Sequence, residues 1–480
     1  MEKVELPKTL EEAHALILRL LARIEEQDRR IEELERRLNQ NSQNSSRPPS
    51  SDPPSARRPA QKPPSGRRPG GQKGHEGHHR ETLPPAKVDE TEHHWPIRCC
   101  NPACGRILPD TGRQEVGKPE RHQVAELPEI LAKVVEHIMH AQMCPDCQET
   151  TSCPWPTGVP AGNFGPRLTA AAGLLAGYRN STRTVQELVA ELFGASMSLG
   201  SVVACEQTVS RSVANAVEEA RRFAEEQEAA NADETSWRER RRKAWLWVMA
   251  TTFVVVFVIQ QHRNRAAAKK LLGDFGGTLT TDRLASYAVV HENRRQICWS
   301  HLGRDFEGLS EYGGKVGRIG KELARLTAKM FRWWHRVRDG TMTRQRFQRK
   351  MKPLQRRVEA LLTAGVATAV PRASGMCWDI MDRHGDALWT FVQVEGVEPT
   401  NNRAERELRH AVLWRKSSFG TQSESGSRFV ERMLTVRATL RAQGRSVVNY
   451  IAQAVDCSLR GLPVPSLLPG SESATIALAA

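Results

Sequence analysis

Residues 231–260, NADETSWRERRRKAWLWVMATTFVVVFVIQ, carry the pattern from which the rest of the chain can be placed. Asn231 to Trp237 reads as one strand, and the charged turn RERRRK leads from it into a second at Ala244 to Thr251. Phe253 to Gln260, dense in Val, Ile and Phe, is a third. Loops this short make the three antiparallel neighbours. A helical pattern then runs from about Ala266 to Phe275. Gly277 to Tyr287 reads as a returning strand that ends in Asp282, and Gln296 to His301 as a further strand.

Three antiparallel strands, a helix and a returning strand describe a ribonuclease-H-like α/β core. In that layout Asp233 lies on the first strand and Asp282 at the end of the fourth, close enough to share cations. Alternation along the strand turns Glu234 to the opposite face. Either acid alone is ordinary, because turns and caps use acids freely; the combination is more specific. A third acid comes from residues 398–420, EPTNNRAERELRHAVLWRKSSFG, where Glu405 stands among Arg403, Arg406, Arg409, Arg415 and Lys416. Two readings are open there. Asn402 and Glu405 fit a capping box at a helix start, or Glu405 is a metal-binding carboxylate beside phosphate-binding arginines.

The stretch from Asp282 to Glu405 is far longer than a strand-to-helix connection requires, and Leu309 to Ala369 is helical in pattern and strongly basic. It reads as an α-helical insertion in the core. Trp333 and Trp334, among Arg332, His335, Arg336 and Arg338, can stack on unpaired bases or pack the helices while the arginines snorkel. Cys298 and His301 have metal-compatible spacing but read here as buried strand residues.

Toward the N-terminus, Pro166 to Ala230 is helical. Thr184 to Phe193 is broken by Gly194, and Ser198-Leu-Gly-Ser201 introduces a second helix, an arrangement open to a helix-turn-helix DNA reader or to plain helix packing. Before it, Cys100 and Cys104, then Cys144-Pro-Asp-Cys147, have the ligand spacing of a four-cysteine structural zinc site. Cys99 can replace Cys100, and Cys153, His93 or His94 are alternative ligands. Residues 41–90 are a basic linker of Asn, Ser, Pro, Gly and Arg that offers no core. Leu10, Ile17, Ile24, Ile31 and Leu38 fall seven apart, with Ala13, Leu20, Gln27 and Leu34 between them, as in a short parallel coiled coil.

The 480 residues carry a formal charge of +15 and a pI near 9.6, which points to a polyanionic partner, nucleic acid first. No apolar run reaches the roughly 20 residues that span a bilayer, and no signal peptide is evident, so a cytoplasmic protein without a membrane partner is expected. The ten cysteines suit metal ligation better than a disulfide scaffold.

Several stretches together resemble the insertion-sequence-66 family of bacterial DDE transposases. They are ADETSWRERRRKAWLWVMAT, GTLTTDRLASY, RRQICWSHLGRDF and residues 398–440, with the NSQNSSRPPSSD linker and the paired cysteines. The resemblance implies a catalytic triad at Asp233, Asp282 and Glu405, holding magnesium or manganese, with structural zinc elsewhere. It implies double-stranded DNA partners, namely element ends and target DNA, in a nucleoid-associated protein, and leaves room for accessory proteins encoded by the element. The expected reaction is hydrolysis that frees the ends, followed by their joining to target DNA. Cutting without joining, or non-catalytic zinc-dependent DNA regulation, are the alternatives. Two departures stand out: the first cysteine pair is spaced by three residues, and Arg283 follows Asp282 where many members carry Gly.

The expected whole is a multidomain α+β chain. It comprises a coiled coil at 1–40, the linker at 41–90, a small zinc-binding domain at 91–158 and a helical DNA-binding region at 159–230. A ribonuclease-H-like α/β catalytic core follows at 231–440, with an α-helical insertion at about 307–394, and a C-terminal helix and tail close the chain at 441–480.

Overall fold

The computed structural model describes residues 7, 9–42, 44, 45, 52 and 82–470. Most of the basic linker and the last ten residues of the tail therefore lie outside the described residues. The chain divides into two units, residues 57–131 and the remainder. In the first, the described residues form little regular structure beyond a 3-10 turn at Pro85–Lys87 and a bridge between Arg98 and Ile107. Beside that bridge the Cys99 N–H donates to the Arg106 carbonyl at 2.9 Å, and the Cys104 and Gly105 N–H groups converge on the Asn101 carbonyl at 3.0 Å.

The larger unit begins with α1 (Leu10–Leu38), one continuous helix whose Ile17, Ile24 and Ile31 are exposed in the single chain. A small hairpin, β1 (Ala141–Met143) and β2 (Thr150–Ser152), frames the second cysteine pair. There the Gln148 N–H bonds the Cys144 carbonyl and the Cys144 N–H bonds Glu149, both at 2.9 Å. Helices α2 (Pro166–Gly177), α3 (Thr182–Phe193), α4 (Leu199–Ser212) and α5 (Ala214–Glu225) follow. Ser181 and Ser198 cap α3 and α4 by accepting from Thr184 and Ser201 N–H, and Gly194 ends α3 in the left-handed conformation.

The sheet is built from β3 (Ala229–Glu239), β4 (Arg242–Ala250), β5 (Val255–Gln260), β6 (Thr278–Thr281) and β7 (Arg295–Ile297), with α6 (Arg265–Leu272) between β5 and β6. Its order is β5-β4-β3-β6-β7. The first three strands are antiparallel, as their short turns require, whereas β6 and β7 run parallel to β3. The insertion is α7 (Trp299–Ser310), α8 (Gly314–Arg338), α9 (Arg344–Val366), α10 (Pro371–Trp378) and the short α11 (Thr390–Gln393). The chain then returns to the sheet through α12 (Asn402–Ser418), α13 (Glu424–Ala442) and α14 (Val447–Leu459). Among the described residues, no helix is long and apolar enough to cross a membrane.

Two elements are shorter than the sequence pattern suggests. The strand read over 277–287 stops at Thr281, and residues 285–289 are a 3-10 turn. The strand read over 296–301 stops at Ile297, so His301 stands in the first turn of α7. In both places the polypeptide leaves the sheet edge where loop contacts replace strand pairing: the Leu284 N–H turns back to Asp282, and the Trp299 N–H donates to the Pro399 carbonyl. Helical structure after the sheet thus begins at Trp299, earlier than the expected insertion at about 307.

Apolar burial follows two clusters. One joins α2–α5, the sheet from β3 to β6, and α12–α14, with Trp237, Leu246 and Trp247 nearly inaccessible; the helical region 159–230 therefore shares the core of the sheet. The other, around Trp299, Phe306, Met330, Phe347 and Phe391, is the insertion's own.

The open edge of β5 is closed by a helix. Thr439, Thr435 and Glu431 of α13 accept from the N–H groups of Val255, Phe257 and Ile259, the first two at 3.0 Å. Four helical residues rise about 6 Å and two strand residues about 6.6 Å, so side chains every fourth position can meet every second strand amide. Backbone donors that would otherwise need another strand are satisfied this way. Thr435→Val keeps the shape but leaves the buried Phe257 N–H without an acceptor. It is expected to lower the unfolding free energy of the full chain by about 1–3 kcal/mol in urea titration; an unchanged midpoint would show that the helix does not hold this edge.

Candidate active site

Asp233 and Asp282 are brought close by strand pairing. Asn231 pairs with Thr280 across the parallel β3 and β6; Asp233 lies two residues further along β3, and Asp282 directly follows the end of β6 at Thr281, near enough for its charge to act on Asp233. Each is oriented by backbone. The Glu234 N–H donates to Asp233 Oδ1 and the Leu284 N–H to Asp282 Oδ1, both at 2.9 Å.

Glu405, on the first turn of α12, reaches the same region because the entry to that helix is stitched to the sheet. Asn401, fully buried, donates from Nδ2 to the Ala232 carbonyl at 2.8 Å and accepts from Asn231 Nδ2 at 3.2 Å. Its own N–H donates to Cys298 Sγ at 3.2 Å. The capping box read from the sequence does not form: the cap is Asn401, not Asn402, and it makes no side-chain capping bond. Glu405 Oε1 is instead buried without a hydrogen-bond partner, 3.6 Å from His301 Nδ1, which also lacks one.

The charges explain what such a site needs. Burial, reinforced by Glu234, Asp282 and Glu405, pushes the Asp233 carboxyl well above its ordinary range. The neighbouring Glu234 has its own counter-ion on the other face of the strand: Arg263 donates to Oε1 at 2.6 and 2.9 Å and Tyr287 Oη to Oε2 at 2.6 Å. Among the described residues, no lysine or arginine makes an ion pair with Asp233, Asp282 or Glu405. The like charges acting on Asp233 and the lack of a cationic partner suit a divalent cation with oxygen ligands, although among the described residues the three carboxylates do not close to within 4.8 Å of one another, as Glu405 does with Cys298 and His301. A cleft of about 490 Å³ opens beside Glu405, lined also by Arg304, Thr327 and Phe331.

The surrounding cations divide into two groups. Arg406, Arg409 and Lys416 are exposed on α12, and at about 100° per residue they share one stripe with Glu405. Arg403 and Arg415 are engaged with the sheet, Arg403 at the Thr252 carbonyl and Arg415 at Thr235 and Ser236. Trp333 is half-buried, with Lys329 and Lys350 over its ring at 5.0 and 5.1 Å. Trp334 does not offer a face to bases. It is 7% exposed, packs on Phe347 and Phe391, and donates from Nε1 to Glu398 at 3.0 Å, so the packing reading holds for it.

Four positioning residues escaped the sequence reading. Asn401 could have been suspected only from the Asn-Asn doublet before the helix. Arg283, where the local turn was left open, bridges Asp305 on α7 at 2.5 Å and Asp379 at 2.8 Å, tying the Asp282 loop to the insertion. Arg263 and Tyr287 gave no local signal, since they meet Glu234 only through the fold.

Comparison with known families follows from this geometry. The model of the transposase IS66 family matches residues 164–428, more than half of the chain and all three acids. A family of unknown function (DUF6444) matches residues 2–81. No curated protein matches.

Asn401→Ala would leave the Ala232 carbonyl and the Asn231 amide without a partner and free the start of α12. The expected cost is about 1–3 kcal/mol of stability by thermal unfolding. A shift of Glu405 by about 1 Å would lower DNA cutting by about 100-fold in folded protein; full cutting activity would show that Asn401 does not position the acid.

Proposed function

The chain belongs to the IS66 transposase family, and on that premise we propose that it is a DDE enzyme that cuts the ends of an insertion sequence and joins the freed 3′-hydroxyls to target DNA. The observation that supports this reading is the placement of Asp233 on β3 and of Asp282 directly after the adjacent parallel β6, near enough for Asp282 and Glu405 to act on Asp233, with the start of α12 tied to β3 by Asn401. The sheet order, three antiparallel strands followed by two parallel ones, supports a ribonuclease-H-like core.

Asp233, Asp282 and Glu405 would hold two magnesium or manganese ions, which supply Lewis-acid stabilisation of the scissile phosphate and of the attacking and leaving oxygens. The chain's own part is placement and charge. The two backbone N–H bonds fix one oxygen of each aspartate. Glu234, neutralised by Arg263 and held by Tyr287, keeps β3 anchored from behind. Arg406, Arg409 and Lys416 would grip DNA phosphates along the α12 stripe, with water or a 3′-hydroxyl attacking phosphorus and the 3′-oxygen of the broken bond leaving. No serine or tyrosine nucleophile is required.

The same reading keeps each cysteine pair, Cys104 with Cys99 or Cys100 and Cys144 with Cys147, as candidate ligands of structural zinc. The Cys99 backbone favours Cys99. Its N–H meets the carbonyl two residues beyond Cys104, as the Cys144 N–H meets the carbonyl two residues beyond Cys147. The exposed Ile17, Ile24 and Ile31 would pair two copies of α1, which suits the joint handling of two element ends.

Asp233→Asn, Asp282→Asn and Glu405→Gln should each lower magnesium-dependent cutting of end-bearing DNA by more than about 100-fold, since each removes charge stabilisation worth several kcal/mol. DNA retention in a gel-shift assay should persist, because the phosphate grip is spread over many basic residues. Near-parental cutting by any one of the three would remove that residue from the triad.

A further inference from the structure

Cys298, His301 and Glu405 bring a thiol, an imidazole and a carboxylate together from two elements. Their ligand atoms all lie within 4.8 Å of one another. Cys298, fully buried, caps α7, His301 follows three residues later on its first turn, and Glu405 faces them from α12. The buried His301 Nδ1 and Glu405 Oε1 have no hydrogen-bond partner, and at 3.6 Å they are too far apart to satisfy each other. Native interiors seldom leave such atoms orphaned. One cation between them would satisfy both.

We propose that Cys298, His301 and Glu405 form a site for a borderline-soft divalent transition metal of the zinc class, chemically distinct from the oxygen-only set that suits magnesium. Sulfur, nitrogen and carboxylate oxygen are the ligand types that zinc and cobalt accept, and magnesium discriminates against the first. Three protein ligands leave a fourth position open. The Asn401 N–H already aimed at Cys298 Sγ supplies the kind of outer hydrogen bond that orients a metal-bound thiolate. Binding releases the thiol proton to solvent as the metal–sulfur bond forms. On the triad reading given above, this site also regulates: Glu405 cannot serve both cations fully, so a zinc-class ion withdraws it from the magnesium set and inhibits cutting.

Cobalt(II) titration of the full-length chain tests the site, because cobalt bound to thiolate absorbs in the near ultraviolet and visible. Other cysteines can also take up cobalt, so the decisive quantity is the difference between proteins. Parent protein should bind one more equivalent than Cys298→Ser or His301→Gln, with a correspondingly stronger thiolate–cobalt band in the parent than in Cys298→Ser. Serine preserves an acceptor for the Asn401 N–H; should that variant fail to fold by circular dichroism, His301→Gln decides by the same stoichiometry. Equal cobalt uptake by the parent and every folded variant would overturn the proposal. Zinc added to a magnesium-dependent cutting assay should inhibit the parent. Parent protein that never cuts in magnesium, yet shows the cobalt difference, would reject the triad reading and leave the metal site standing.

Discussion

The buried side chain of Asn401 is the constraint on which the arrangement of acids depends. The chain leaves the sheet at β7, passes through the whole helical insertion, and must then bring Glu405 back over β3. A loop carrying only apolar contacts would leave the approach angle of α12 poorly defined. Asn401 defines it with three directional bonds, to Ala232, Asn231 and Cys298. Two of these partners are on β3, immediately before Asp233. The third lies at the end of β7, one strand beyond β6. One residue therefore registers the helix against both sides of the strand that leads to Asp282, and breaking its bonds inside the core is costly because each released group stays buried.

That rigidity sets acids together that repel one another. Asp233 and Glu234 are neighbours in sequence but meet opposite fates across the pleat. Burial and neighbouring acids push both carboxyls up, but Glu234 is held by Arg263 and Tyr287, whereas Asp233, acted on by Glu234, Asp282 and Glu405, has no such cationic partner. A fold that gives one of two adjacent carboxylates an arginine and leaves the other among like charges supports the proposal that Asp233, and not Glu234, takes a cation. The Arg283 bridge to Asp305 and Asp379 likewise gives two acids of the insertion a cationic partner next to Asp282.

Much of the core was legible in the sequence because it obeys local rules. Strands β3, β4 and β5 followed from apolar density and short turns, and the α3–α4 boundary from Gly194 and Ser198, whose capping chemistry is local. Asp233 and Asp282 could be picked out by their places on the first strand and at the end of the fourth, and Glu405 by the arginines around it, with the family resemblance joining the three. What stayed hidden depends on contacts distant in sequence. His301 looked like a strand residue, since nothing nearby announces that Cys298 will cap a helix against residues about a hundred positions away. Trp334 resembled a base-stacking platform until Phe347 and Phe391 enclosed it. The unity of the core, in which helices before the sheet and after the insertion share one apolar cluster, has no signature in composition or periodicity.

The insertion's apolar cluster runs from Trp299 through Val397 and also takes in Ile297 of β7, so the basic helices are packed onto the β7 side of the sheet. On the proposed function, the three acids are the centre of the mechanism. Anomalous diffraction from crystals of the full chain grown with manganese addresses them most directly, because it locates the ion without requiring turnover. The triad predicts manganese within about 2.0–2.3 Å of carboxylate oxygens of Asp233 and Asp282, with Glu405 completing the set. Manganese ordered elsewhere, with Asp233 and Asp282 bare at saturating concentration, would contradict it.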